Sequence, residues 1–143
     1  MRSIRSREDG TCADVAVIRT LVISQHEVVR RQLVAYLSRS PALSVRGEAF
    51  TPETIIRAHP DVLVLDLSQL GQGGLGAALD AARHVGAHLI ALASMREPTD
   101  ERAVTSSGGL YRLKSAGADG LAEVVQDIAS QPAPSPPQVA STP

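Results

Sequence analysis

The sequence predicts an α/β fold: a five-stranded parallel sheet in the order 2-1-3-4-5, doubly wound with helices on both faces. Three observations predict it. Strand-like and helix-like segments alternate five times along the chain. Their connections are short, and right-handed crossovers then leave few topologies, of which 2-1-3-4-5 is the natural one. The third strand-like run, Val62-Leu63-Val64-Leu65, is apolar at every position, the pattern of a strand covered on both faces.

Taken in order, Ile18-Arg19-Thr20-Leu21-Val22-Ile23 is the first strand. Val29, Leu33 and Leu37 then recur at helical spacing within a segment from about Glu27 to Arg39. Leu43 to Ala49 alternates as a second strand, and Thr51-Pro52-Glu53 has the chemistry of a helix start, a hydroxyl N-cap followed by proline at the first helical position. Asp61 to Asp66 is the third strand. A glycine-rich loop leads to a helical stripe of Leu75, Ala78, Leu79 and Ala82. His88 to Ala93 is the fourth strand, a polar helix covers about Pro98 to Ser106, and Leu110 to Leu113 is a short fifth strand. Leu121, Val124, Val125 and Ile128 mark the final helix, at i, i+3, i+4 and i+7.

These elements occupy residues 17–130 as one domain, within the range in which a single core closes. Residues 1–16 read as a loose extension and residues 131–143, QPAPSPPQVASTP, as a proline-rich tail or linker. The net charge of −1 argues against direct binding to nucleic acid, because a basic face is missing. The start is basic but has no apolar h-region, and no run approaches the length of a membrane span. Cys12 has no partner for an intrachain disulfide, which fits a reducing compartment, so a cytoplasmic protein is expected.

In a sheet of this order, ligand chemistry lies at the carboxyl ends of the strands, beside the switch between strands one and three. Asp66 ends the third strand and would sit at that crevice. With this carboxylate placed, the stretches HEVVRRQL and PDVLVLDLS make the chain resemble a response-regulator receiver domain of two-component signalling, of the type joined to helix-turn-helix DNA-binding domains. The resemblance covers about residues 18 to 130. It implies the flavodoxin-like receiver fold and makes Asp66 the phosphoacceptor position, served in that family by a histidine kinase. Lys114, the only lysine in the chain, falls at the family's lysine position. Tyr111 falls at its aromatic switch position, and Gly71 and Gly74 match glycines of the loop after the phosphoacceptor. AGADG (116–120) resembles a motif that usually precedes strand five; using it in that register would leave no matching lysine.

Three departures bear on function. Where the family carries two acidic residues that help bind magnesium, this chain has Ser24 and Gln25. At an effective dielectric of about 20, a carboxylate–cation contact at about 4 Å is worth roughly 4 kcal/mol before desolvation, so magnesium binding is expected to be weak or absent. Where the family places a threonine or serine at the end of strand four, this chain has Ala93, with Ser94 next. Ser115 follows Lys114 where many receivers have proline.

The expected function is an atypical receiver in signal transduction and transcription regulation, not an enzyme, that works through protein contacts with little magnesium-dependent phosphorylation. With no metal competing, the Lys114 ammonium is free to pair with Asp66. By analogy with the family, a protein partner or a second copy docks on the face made by the fourth helix, fifth strand and fifth helix. DNA would be reached only through a C-terminal domain outside this chain. Two alternatives stay open: a conventional receiver phosphorylated on Asp66, and a small-molecule-sensing receiver. Tyr111 is expected mainly to pack, His26 to start a helix, and GQGGLG to form a loop, since it does not open the first crossover as a dinucleotide motif would. No histidine spacing suggests a metal site.

Overall fold

The computed structural model describes residues 17–117 and 119–132; the extension expected over 1–16, and the tail beyond Pro132, lie outside the described residues. Five strands, β1 (Ile18–Ile23), β2 (Leu43–Glu48), β3 (Val62–Asp66), β4 (His88–Ala93) and β5 (Leu110–Leu113), alternate with five helices. The helices are α1 (Glu27–Leu37), α2 (Pro52–Ala58), α3 (Gly74–Val85), α4 (Pro98–Ser106) and α5 (Leu121–Ala129). A 3-10 turn, Lys114–Ala116, joins β5 to α5. All neighbouring strands are parallel and their order is β2-β1-β3-β4-β5, the flavodoxin-like arrangement.

The period-two alternation of the strands sorts the core into two layers. Leu21, Ile23, Leu63, Leu65, Leu89 and Ala91 face α2, α3 and α4. Val22, Val62, Val64, Ile90 and Leu92 face α1 and α5. Every residue of β3 and β4 is buried, which accounts for the unbroken apolar runs. The two layers are closed unequally. α3 buries four small residues, Gly74, Ala78, Ala81 and Ala82. α1 buries only Leu37; Val29 and Leu33 stay half-exposed.

Local chemistry sets the boundaries. Thr51 caps α2 as expected, its hydroxyl accepting the Thr54 N–H at 3.1 Å. α1 ends at Leu37, two residues short of the expected Arg39, with Ser38 as its cap. Gly47 on β2 lets α1 approach: a methyl there would lie 2.8 Å from Val34 Cγ2 and 2.9 Å from Arg30 Cγ. The β5 register pairs Ile90 with Leu110 and Ala93 with Leu113, which puts Lys114 at the strand end. AGADG therefore belongs to the connection into α5, where Gly117 and Gly120 hold positive φ. At the opposite end of the sheet, the ring of His88, the first residue of β4, lies 3.3 Å from the carbonyl oxygen of Gln131, just past α5. No described helix is long and apolar enough to cross a membrane.

Candidate functional site around Asp66

Asp66 closes β3 with a side chain wholly removed from solvent. A carboxylate so placed demands internal partners. It has three. Lys114 Nζ lies 2.7 Å from Oδ1, and the Ser68 N–H donates to the same oxygen at 3.0 Å. The Ser24 hydroxyl donates to Oδ2 at 2.8 Å. Burial pushes the Asp66 carboxyl up; the hydrogen bonds from Lys114, Ser68 and Ser24, with the Lys114 charge, outweigh it and hold the carboxyl below its ordinary range.

Each donor is positioned by the fold. Ser24 follows β1, is fully buried, and accepts the His26 N–H at 3.1 Å as the chain turns into α1. Its carbonyl is held by Arg30 Nη1 at 2.8 Å, from the first turns of α1. Ser68 sits two residues past Asp66, the spacing at which an aspartate accepts a backbone N–H to form a turn. Its hydroxyl accepts from Lys114 Nζ at 3.0 Å and lies 3.3 Å from the Ser94 hydroxyl. Lys114 leaves β5 at the 3-10 turn and reaches across β4 to the carboxylate.

The other residues singled out in the sequence are not drawn together in this way. The Gln25 amide oxygen accepts the Phe50 N–H at 2.8 Å, so the side chain ties the β1–α1 loop to the segment after β2. Ala93 is buried opposite Leu113 and brings no hydroxyl. Tyr111 packs on the α2–α4 layer, while its hydroxyl accepts the Glu97 N–H at 3.0 Å and donates to the Met95 carbonyl at 3.3 Å. His26 is the N-cap of α1 and makes no side-chain cap bond. Gly71 and Gly73 hold positive φ in the loop after β3, and Gly74 opens α3. Ser68 is the member of the site that the sequence reading passed over; its place two residues after a strand-ending aspartate was the available signal.

No protein-family model matches the chain. Curated relatives do. The chain is 32% identical over 116 residues to the transcriptional regulatory protein LiaR of Bacillus subtilis, covering 77% of this chain and 55% of that one. It is 32% identical over 118 residues to the response regulator GacA of Pseudomonas viridiflava, covering 78% and 54%. The chain thus spans about half the length of the curated relatives it matches. Among solved structures, the receiver domain of a NarL response regulator from Mycobacterium tuberculosis superposes with a TM-score of 0.66 at 24% identity, over 80% of this chain and 98% of that one, a likeness of fold. With five parallel strands in the receiver order, an aspartate closing the third, and this similarity to response regulators, the chain belongs to the response-regulator family as a receiver domain.

Proposed function

We propose that this receiver is atypical: it signals through protein contacts rather than as an enzyme, with little or no magnesium-dependent phosphorylation of Asp66. The observation that carries this reading is the complete set of internal partners on the carboxylate. Both oxygens already accept hydrogen bonds, one of them with a lysine cation. Phosphoryl transfer needs charge neutralised around the equatorial oxygens, and magnesium needs several oxygen ligands, usually with carboxylates among them. The donor set here does not fit that ion. Ser24 turns its hydrogen toward Asp66, Gln25 spends its oxygen on Phe50, and the described residues contain no cluster of three acidic, histidine or cysteine side chains able to hold a metal.

In this reading Lys114 is a clamp that keeps one conformation of the crevice. The output partner, a protein or a second copy of the chain, docks on α4, β5 and α5. Leu110, exposed on β5, gives that face an apolar point, and α4 supplies charge through Glu101 and Arg102. Transcription control would follow the example of LiaR, described as a transcriptional regulatory protein, through a DNA-binding domain not contained in these 143 residues.

Incubation with magnesium and acetyl phosphate, followed by peptide mass analysis, tests this. No added mass on the Asp66 peptide is expected. Stoichiometric phosphorylation of Asp66 would overturn this reading and make Asp66 a working phosphoacceptor, as in a conventional receiver.

A further inference from the structure

The two helices on the β1–β3–β4 side do not close over the sheet. Between them opens a cleft of about 440 Å³, walled by Val29, Leu33 and Tyr36 of α1 and by Leu121 of α5, with Leu92 and Leu113 as its floor. The volume falls within the range of sites for small organic molecules, and the lining has their character: mostly apolar side chains with a few polar groups. Those groups are the Gln32 amide on the rim and the Tyr36 hydroxyl, neither of which bonds to another described residue.

Charge narrows the occupant. Among the described residues of the wall the one ionic side chain is Lys114, and its ammonium is already taken up by Asp66 at 2.7 Å and Ser68 at 3.0 Å. What it offers the cleft is its methylene stem. A carboxylate in the cleft would have to draw Lys114 away from a buried partner, whereas a neutral molecule would not. The same stem joins the cleft to the site, because the residue that walls one holds the carboxylate of the other.

We propose that this cleft binds an uncharged, mainly apolar small molecule of roughly two or three rings, the size class such volumes accept, and that its occupancy adjusts the Asp66–Lys114 pair. The second half rests on Lys114 acting as a clamp; the first half does not. The probe is 2-naphthol, titrated into the full chain and followed by its own fluorescence and by amide resonances, with 2-naphthoate as the charged control. Saturable binding is expected, at least tenfold tighter for naphthol than for naphthoate. Leu33→Trp, which fills the cleft, and Gln32→Trp, which covers it from an exposed position, should each weaken naphthol at least tenfold. The Ser68 amide, bonded to Asp66, should shift on binding.

Several results overturn the proposal. Absence of saturation, equal affinity for naphthoate, or indifference to both tryptophan variants removes the ligand site. A concentration-dependent dimer that Gln32→Trp dissociates assigns the cleft to a second copy instead. Resonances of residues 133–143 displaced by naphthol assign it to the chain's own tail. A Ser68 amide that stays fixed while Leu121 shifts removes the coupling and keeps the site. Phosphorylation of Asp66 by acetyl phosphate would remove the atypical reading and leave naphthol binding untouched.

Discussion

The two flanks of the Asp66 crevice are built on opposite plans. Around the carboxylate itself, every polar group is spoken for: Ser24, Ser68 and Lys114 converge on one buried oxygen pair at 2.7–3.0 Å. Toward the loop after β4, Ala93 brings no polar atom, Ser94 is exposed and reaches only Ser68, and Met95 is 72% exposed. Tyr111 borders this open side and spends its hydroxyl on the backbone of the loop itself. The contrast teaches where the molecule spends its constraints. It fixes a charge on one flank and leaves the other held by two hydrogen bonds to exposed backbone.

The largest effect should come from breaking the fixed flank. Lys114→Met leaves Asp66 buried without its cation and should cost about 3 kcal/mol in urea unfolding, the lower end for a broken buried pair because the lysine is itself partly exposed. A cost under about 1 kcal/mol, the level of a surface ion pair, would erase the contrast. Next, Ser24→Asp puts a second carboxylate beside Asp66. In chelator it should destabilise by about 2 kcal/mol, below the roughly 4 kcal/mol felt by unit charges 4 Å apart at a dielectric of about 20, since Lys114 offsets part of it. Added magnesium should recover most of that loss in thermal melts, and the wild type should not respond.

A third test uses acid. The Asp66 carboxyl is depressed in the fold, so the unfolded chain binds more protons and stability rises with pH in that range. The contribution is full above the unfolded value of about 4 and is lost as pH falls through the folded one. Denaturation midpoints of the wild type should therefore decline across this acid window more steeply than those of Asp66→Asn; parallel curves would show that the pair stores no stability. The smallest effect belongs to the open flank. Tyr111→Phe removes two hydrogen bonds to partly hydrated backbone and should cost about 1 kcal/mol or less, with faster amide exchange at Glu97 as its signature.

β3 and β4 were legible because burial on two faces leaves mainly apolar residues to read, as in Val62 to Leu65, and β2 because its half-buried residues alternate. Asp66 and Lys114 were legible for a related reason: a carboxylate ending such a run, and a lone lysine in an arginine-rich chain, are conspicuous by type. Ser68 was not, because serines after strands are common and its role depends on a backbone N–H. Gln25 could not be placed either. Whether it joined Ser24 or reached Phe50 depended on how the β1–α1 loop turns, which no residue type encodes. The cleft lay furthest from view: Val29, Leu33 and Leu37 recur at one helical spacing, but only Leu37 is buried, and how far α1 stands from α5 is not written in the spacing of either helix.

The hydrogen bond between His88 and Gln131 fixes where the chain departs. α5 has nine residues, so it runs about 13 Å from the crevice end of the sheet toward the far edge. The last described residues, Gln131 and Pro132, therefore lie at the pole opposite the aspartate. The length of α5 thus separates the crevice from this end of the chain, and His88 is the contact that holds that end against the sheet.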